Sequence, residues 1–503
     1  MVGTHLLDAL QYVFDPLTLL FIVIGTGFGL VGGSLPGISS SMSVILIMPF
    51  TFSMEPVQAI VMVVAVYVGG ACGGSISAIL IKTPGTPEAI PTTFDGYPLM
   101  QKGQAGTALG LAVTASSFGS IFSAFMMMLA APLFASVALK FQSAEYFALA
   151  VLGLSCVSSI GSKNQARALV AALIGLLIAT VGIDPISGVQ RFTFNKTFLV
   201  GGIEMIPVII GCFAISEVFE NIETYYRRDA TVQAGRVSMK LLKFSEMFKM
   251  WVHFIRSAII GTLIGILPAA GGTIASLLSY SVAVKSDKNP ERFGKGAYEG
   301  IIASESANNA AVGGSMVPTL VLGIPGSGTA AIIMMVFILH NLRPGPLLMR
   351  EQPTLLYALF LGIIIASVLL FLLGRFIARE FARILKLPYP MLAAFIIVMG
   401  IVGAYSLKGS YYDVILMFIF GIIGYLFNKF QFSIPAFVLA FILGGMAEKT
   451  YRQQLIISDG NFLGVFMRPI SCIVLIASII IFISPSFKHI LKAFSKKGEL
   501  VAK

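Results

Sequence analysis

Long stretches without a charged residue set the pattern of this chain. Residues 16–54 and 306–342 contain no Asp, Glu, Lys or Arg, and further apolar runs occupy 57–81, 104–138, 146–162, 168–183, 199–216, 257–284, 353–374, 387–407, 414–428, 430–447 and 469–487. An α-helix crosses about 30 Å of hydrocarbon in about 20 residues, so runs of this length are natural rulers for membrane spans. They predict an all-α polytopic membrane protein with about 12 transmembrane helices. Residues 1–16 lack a basic stretch and a small-residue cleavage site, so we expect them to lie along the interface ahead of the first span.

Composition agrees with that pattern. Only 11% of residues are charged, 57% are hydrophobic, and the mean hydropathy is +0.91. A soluble domain carries about 25% charged residues, and a chain this apolar has too little polar surface to coat a globule. Soluble enzymes and nucleic-acid binders are excluded. The excess of 34 Lys plus Arg over 23 Asp plus Glu then reads as cytoplasmic loops facing anionic lipid. The clusters are Arg227, Arg228, Arg236, Lys240, Lys243, Lys249 and Arg256; Arg375, Arg379, Arg383 and Lys386; and Lys488, Lys492, Lys496 and Lys497. Four scattered cysteines and four scattered histidines have no ligand spacing, so neither a metal site nor a disulfide framework is expected.

The two halves resemble each other. GLVGGSLPGISSSMSVILIMPFTF at 29–52 and GGACGGSISAILIKTPGTPEA at 69–89 are matched by GTLIGILPAAGGTIASLLSY at 261–280 and AAVGGSMVPTLVLGIPGSGTAA at 310–331. In both halves a G-x-L-P-small element precedes a Gly-Gly-Ser stretch and a Pro-Gly-Ser/Thr turn. We therefore expect an N-terminal transmembrane repeat (1–220), a basic cytoplasmic connector (221–256) and a C-terminal repeat with additional helices (257–503), the repeats being inverted.

These elements interrupt membrane helices and release backbone hydrogen bonds. In lipid each orphaned group costs several kcal/mol, so broken backbone must be buried in protein or line a wet cavity. Half-helix N-termini suit a carboxylate, and exposed carbonyls suit a sodium ion. Candidate substrate contacts are Ser34, Pro36, Gly37, Ser39, Pro84, Gly85, Thr86, Gly271, Gly272, Pro325, Gly326 and Ser327, with the hydroxyls of Ser40 and Thr329 as further ligands. Kinks and small-residue contacts are also ordinary in membrane helices; four breaks in matched order argue for a site. Glu305, Asn308 and Asn309 share one helix face and are the candidate ion-coupling residues. Glu305 either serves an ion or substrate, or bonds a broken helix end. Lys82 either pairs with a substrate carboxylate or snorkels to the interface.

The run NPERFGKGAYEG at 289–300, ESANNAAVGGSMVPTLVLGIPGSGTAA, RPGPLLM, PGTPEA and DGYPLMQKGQAG resemble the large membrane subunit of the tripartite tricarboxylate transporters, over nearly the whole chain. It departs from the family pattern at Ile38-Ser39-Ser40, Lys82, Ala269 and Ser304. The resemblance implies uptake of carboxylates across a bacterial inner membrane, driven by a sodium or proton gradient. It also implies two partners, a periplasmic solute-binding protein and a small membrane subunit, and no cofactor beyond the coupling ion. The alternatives are a carboxylate or ion symporter needing no binding protein, a channel, and a membrane-embedded enzyme. No G-x-x-x-x-G-K-[ST] is present to bind ATP, and no D-D-x-x-D, H-E-x-x-H or G-x-S-x-G lies in a supporting context.

Overall fold

The computed structural model describes residues 2–138, 140–160, 165–184, 186–225, 239–268, 271–384, 389–406 and 408–482. The expectations placed on Arg227, Arg228, Arg236, Ala269, Lys386 and the lysines from Lys488 to Lys497 lie outside those residues.

In the first half the helices are α1 (Val2–Val13), α2 (Pro16–Ser34), α3 (Ser40–Thr51), α4 (Pro56–Ile81), α5 (Thr92–Gln101) and α6 (Ala105–Ala138). Helices α7 (Ser143–Ile160) and α8 (Gln165–Ala179) follow, then a two-residue antiparallel ribbon of β1 (Gly182–Ile183) and β2 (Gln190–Arg191), then α9 (Met205–Glu223) with a π-helical turn at Ile210–Ile215. In the second half come α10 (Trp251–Ile266), α11 (Gly271–Ser286), α12 (Tyr298–Val317) and α13 (Gly328–Leu339). The chain continues through α14 (Pro353–Ile384), α15 (Tyr389–Ser406), α16 (Tyr411–Lys429), α17 (Ile434–Ile457) and α18 (Pro469–Phe482).

Among the described residues eight helices are long and apolar enough to cross a membrane: α2, α4, α6, α9, α14, α15, α16 and α17. Six more apolar helical segments are shorter, in α3, α7, α8, α10, α13 and α18. The run 257–284, expected as one span, is divided at Leu267 into α10 and α11 of 16 residues each. At 1.5 Å per residue each reaches only about 24 Å. Apolar side chains four apart, such as Val368, Leu372 and Phe376 on α14, are exposed in stripes that hydrocarbon would solvate.

Two pairs of helices, one from each half of the sequence, pack in the same manner. Asp15 caps α2, accepting from Leu17 N–H at 3.1 Å and Thr18 N–H at 3.0 Å, with Pro16 in the first turn. Gly25, Gly29 and Gly33 recur every fourth residue and let α2 lie backbone to backbone on α4, where any Cβ would meet main-chain atoms of Met62, Val66 and Gly70. Gly261 and Gly265 of α10 meet Ala307 and Ala311 of α12 in the same manner. With no hydrophobic effect between helices in lipid, such close approach supplies the dispersion contact that holds them together.

The residues pack into two compact units, one of Met1–Leu139 with Ile209–Tyr425, the other of Lys140–Val208 with Leu426–Lys503. Each unit draws on both halves of the sequence, and all four helix interruptions fall in the first. Within the first unit the two halves pack directly on each other: Gly119 of α6 rests on the Ser306 carbonyl of α12, and Gly313 of α12 rests on Ser123 of α6. Within the second unit, Gly175 of α8 lies on the Phe437 carbonyl of α17, and Arg468 Nε donates to buried Glu145 Oε1 at 2.5 Å. Asp184 accepts from Ile186 and Ser187 N–H, both at 2.8 Å, and from Arg452 Nη1.

Candidate substrate and ion site

Four interruptions of helix close into one circuit inside the first unit. At the first, α2 stops at Ser34 and α3 starts at Ser40, capped by Ser39 Oγ, which accepts from Met42 N–H at 3.2 Å. At the second, α4 stops at Ile81, and left-handed Lys82 (φ 59°) turns the chain into Pro84, Gly85 and Thr86. At the third, α10 stops at Ile266 and α11 starts at left-handed Gly271 (φ 60°). At the fourth, a π-helical turn at Pro318–Leu322 ends in left-handed Gly323 (φ 70°), and Ser327 caps α13, its Oγ accepting from Ala330 N–H at 3.1 Å.

Side chains and bare backbone join these turns. Ser41 Oγ on α3 and Thr329 Oγ1 on α13 are hydrogen-bonded at 2.8 Å, linking the first and fourth. The second lies on the first, since a Cβ on Gly85 would run into the Gly33 carbonyl. The third meets the fourth where a Cβ on Gly271 would lie 3.7 Å from Ser327 Cβ. It meets the second where a Cβ on Gly272 would lie 2.6 Å from Asn308 Oδ1 and 2.8 Å from Glu88 Cγ. Tyr67 OH, on α4, is 3.1 Å from Ser327 Oγ.

The candidate residues do not all face this circuit. Ser34 Oγ donates to its own helix at Val31 O (2.7 Å). The Pro36–Ser39 turn reaches α9 instead: Asn221 Nδ2 donates to Gly37 O at 3.3 Å, and Ser39 Oγ donates to Glu217 Oε2 at 3.3 Å. Gly37 itself has φ 91°, which favours glycine. Gly85 N–H donates to Gly74 O at 3.2 Å. Pro325 is buried, and Gly326 N–H donates to Thr319 Oγ1 at 3.2 Å, with Ser315 Cα filling the space where a Cβ would go. Lys82 is exposed, its Nζ 5.5 Å from the Tyr97 ring centroid.

The polar face of α12 is fully buried. Glu305 accepts from Thr92 Oγ1, at the start of α5, and from Ser116 Oγ on α6 at 2.9 Å, so both carboxylate oxygens are engaged. Asn308 Nδ2 donates to Ala71 O of α4 at 2.9 Å. Asn309 Nδ2 donates to Val68 O at 3.2 Å and Ser120 Oγ at 3.0 Å. Among the described residues Ser40 Oγ, Thr86 Oγ1, Glu88 Oε2 and Asn309 Oδ1 are shielded from solvent and have no hydrogen-bond partner. A buried polar atom left unsatisfied costs about 1–3 kcal/mol. These atoms lie at the first two turns and on the helix beside them.

The sequence profile described as the tripartite tricarboxylate transporter TctA family matches residues 19–439. The chain belongs to that family. It is 36% identical over 481 residues to an uncharacterized 52.8 kDa protein of the TAR-I ttuC' 3' region of Agrobacterium vitis, covering 95% of each chain. It is also 35% identical over 231 residues to an uncharacterized protein of the TAR-II ttuC' 3' region of the same organism, covering 45% of this chain and 96% of that one. No solved structure matches. As a TctA-family protein it is a multi-pass membrane component of a tripartite transporter, and the embedded-enzyme alternative falls. The whole circuit lies within the matched stretch.

Three residues of the circuit were not singled out from the sequence: Ser41, Tyr67 and Glu88. A signal for the last was present. Laying PGTPEA over PGSGTA pairs Thr86 with Ser327 and Glu88 with Thr329, which exposes a carboxylate in one turn where the other has a hydroxyl. Tyr67 sits in an apolar stretch of α4, and only the packing shows its hydroxyl directed at Ser327.

Proposed function

We propose that the chain is the large transmembrane subunit of a binding-protein-dependent secondary transporter that imports tricarboxylate-type carboxylates by symport with a sodium ion or proton. It works in the bacterial inner membrane with a small membrane subunit and a periplasmic solute-binding protein, its two repeats being of inverted topology. The observation that carries this reading is the meeting of α3 and α13 at the 2.8 Å bond between Ser41 and Thr329. Both are 12-residue helices that begin beside buried hydroxyls in the interior of the first unit. First-turn N–H groups have no partner within their own helix, and each N-terminus carries about half a positive charge. Two such ends side by side suit an anion with more than one carboxylate.

Uptake of labelled di- and tricarboxylates into proteoliposomes tests the proposal, with and without the binding protein and with NaCl replaced by choline chloride. Accumulation that needs the binding protein and an inward cation gradient is the expected result. Uptake of the same size without the binding protein would favour the self-sufficient symporter, and no gradient dependence would favour a channel.

A further inference from the structure

The circuit contains two carboxylates of different standing. Glu305 is fully engaged by Thr92 and Ser116, and its geometry is that of a strut between α12, α5 and α6. Glu88 sits on the 3₁₀ turn Pro87–Ala89 just past the second interruption, and its Oε2 has no partner. Two residues earlier, the hydroxyl of fully buried Thr86 is also unpartnered.

The orientation of Asn308 fixes the sign of what is missing. Its amide nitrogen must face Ala71 O, because a carbonyl only accepts. The amide oxygen is thereby turned toward Gly272, where it and Glu88 Cγ lie under 3 Å from the one point a Cβ would occupy. An amide oxygen and an ionised carboxylate are both acceptors, and Glu88 Oε2 has no hydrogen-bond partner among the described residues. A second anion is disfavoured there, and a hard cation satisfies both oxygens at once. The preceding helix α4 ends at Ile81, so its C-terminal carbonyls add partial negative charge to the same turn.

We propose that Glu88, with Thr86 Oγ1 and Asn308 Oδ1, binds the coupling sodium ion beside the close packing at Gly272, and that Glu305 is not a ligand. This assignment rests on the cation-coupled reading above. It makes the two turns unequal: the first takes the cation, and its repeat-mate at Ser327 and Thr329 faces the carboxylate.

The test is sodium-dependent thermal stabilisation of the purified full chain in detergent, titrating NaCl against choline chloride at constant ionic strength, alongside uptake. Wild type is expected to show a saturable sodium shift. Glu88→Gln and Gly272→Ala should weaken the apparent sodium affinity at least tenfold, and Glu305→Gln should leave it within about twofold. Thr86→Val guards against a folding artefact. Removing an unpartnered hydroxyl should leave stability in choline equal to or above that of wild type while weakening sodium binding, whereas a structural hydroxyl would lower stability in choline. Wild-type sodium affinity in Glu88→Gln overturns the assignment, as does a wild-type chain with no sodium shift that still accumulates carboxylate. A sodium shift lost in Glu88→Gln in a chain that carries no carboxylate supports this site and sinks the transport reading instead.

Discussion

Substituting Gly85 by alanine tests whether the second interruption must lie on bare backbone. A Cβ at this position points into the Gly33 carbonyl oxygen, so the turn must retreat by roughly 1 Å before the contact reaches the 3.0 Å that real Cβ atoms respect. The nearest obstacle is main chain and cannot swing aside, and Ser77 Oγ, 2.9 Å from the same point, adds a lesser side-chain contact. Overpacking of this kind costs about 1–3 kcal/mol, and rigid obstacles place Gly85→Ala at the upper end. A displacement of about 1 Å in a site also lowers rates by about 100-fold where geometry is exacting. We expect a lower unfolding midpoint in detergent and at least a tenfold loss of uptake in proteoliposomes, with membrane insertion intact.

Two companions sharpen the test. Gly362→Ala collides with the Val61 Cγ1 side-chain atom at 2.6 Å, so adding Val61→Ala should restore it, whereas no neighbouring truncation should restore Gly85→Ala. Gly445→Ala meets nothing within 4 Å and lies inside α17, so it should be neutral or stabilising by up to about 1 kcal/mol. If Gly85→Ala behaves like Gly445→Ala in both assays, the close approach of the first two turns is not what the site requires.

Other substitutions probe single contacts. Glu305→Ala removes two hydroxyl bonds to a carboxylate, each worth about 1.5–3 kcal/mol, and should lower the unfolding free energy by about 3 kcal/mol or more in chemical denaturation. Arg468→Ala strands the Glu145 carboxylate, 1% exposed, with only the Gln142 N–H at 2.8 Å; the expected loss is about 3 kcal/mol, read the same way. The N–H of Ser187, Arg452 and the N–H of Ile186 hold the Asp184 carboxyl below the ordinary carboxylate range. A depressed folded value stabilises above the unfolded value of about 3.9 and is lost only as pH falls through the lower one, so the deficit of Asp184→Asn should persist from pH 7 to below pH 4 in a thermal-melt series.

The membrane class and the places where helices break were legible because both are written in local composition: charge-free runs for the spans, Leu-Pro and Pro-Gly for the interruptions. The division of 257–284 could be read from Leu267-Pro268, yet whether the two pieces count as one crossing depends on packing that hydropathy does not contain. Among the candidate site residues, types were easier to read than directions. Ser39 has the hydroxyl a ligand site needs but spends it on Glu217 and the α3 cap, and Ser34 returns its own to Val31. Asn308 and Asn309 were legible as buried amides on one face, but only the positions of Ala71 O and Val68 O decide which end of each amide faces inward. Glu88 was hidden by its surroundings, a short polar motif that reads as a surface turn until α11 is seen lying over it.

On the assignment proposed above, the sequence repeat lets one architecture hold ions of opposite sign. Corresponding turns place Thr86 and Glu88 in one half and Ser327 and Thr329 in the other. In the first, a three-residue 3₁₀ turn presents a carboxylate; in the second, a 12-residue helix presents hydroxyls and the positive end of its dipole. Carrying an anion into a negative interior opposes about 2.3 kcal/mol per charge per 100 mV, and cations bound beside it reverse that sign once they outnumber its charges. The division of labour predicts separable defects. Thr329→Val keeps the shape and removes the bond to Ser41, worth about 1 kcal/mol or a fivefold change in equilibrium. Substrate half-saturation should therefore rise about fivefold while the sodium titration stays where it was, the reverse of the pattern expected for Glu88→Gln. A Thr329→Val chain that lost sodium affinity with its substrate affinity unchanged would show that the two turns do not divide the charges in this way.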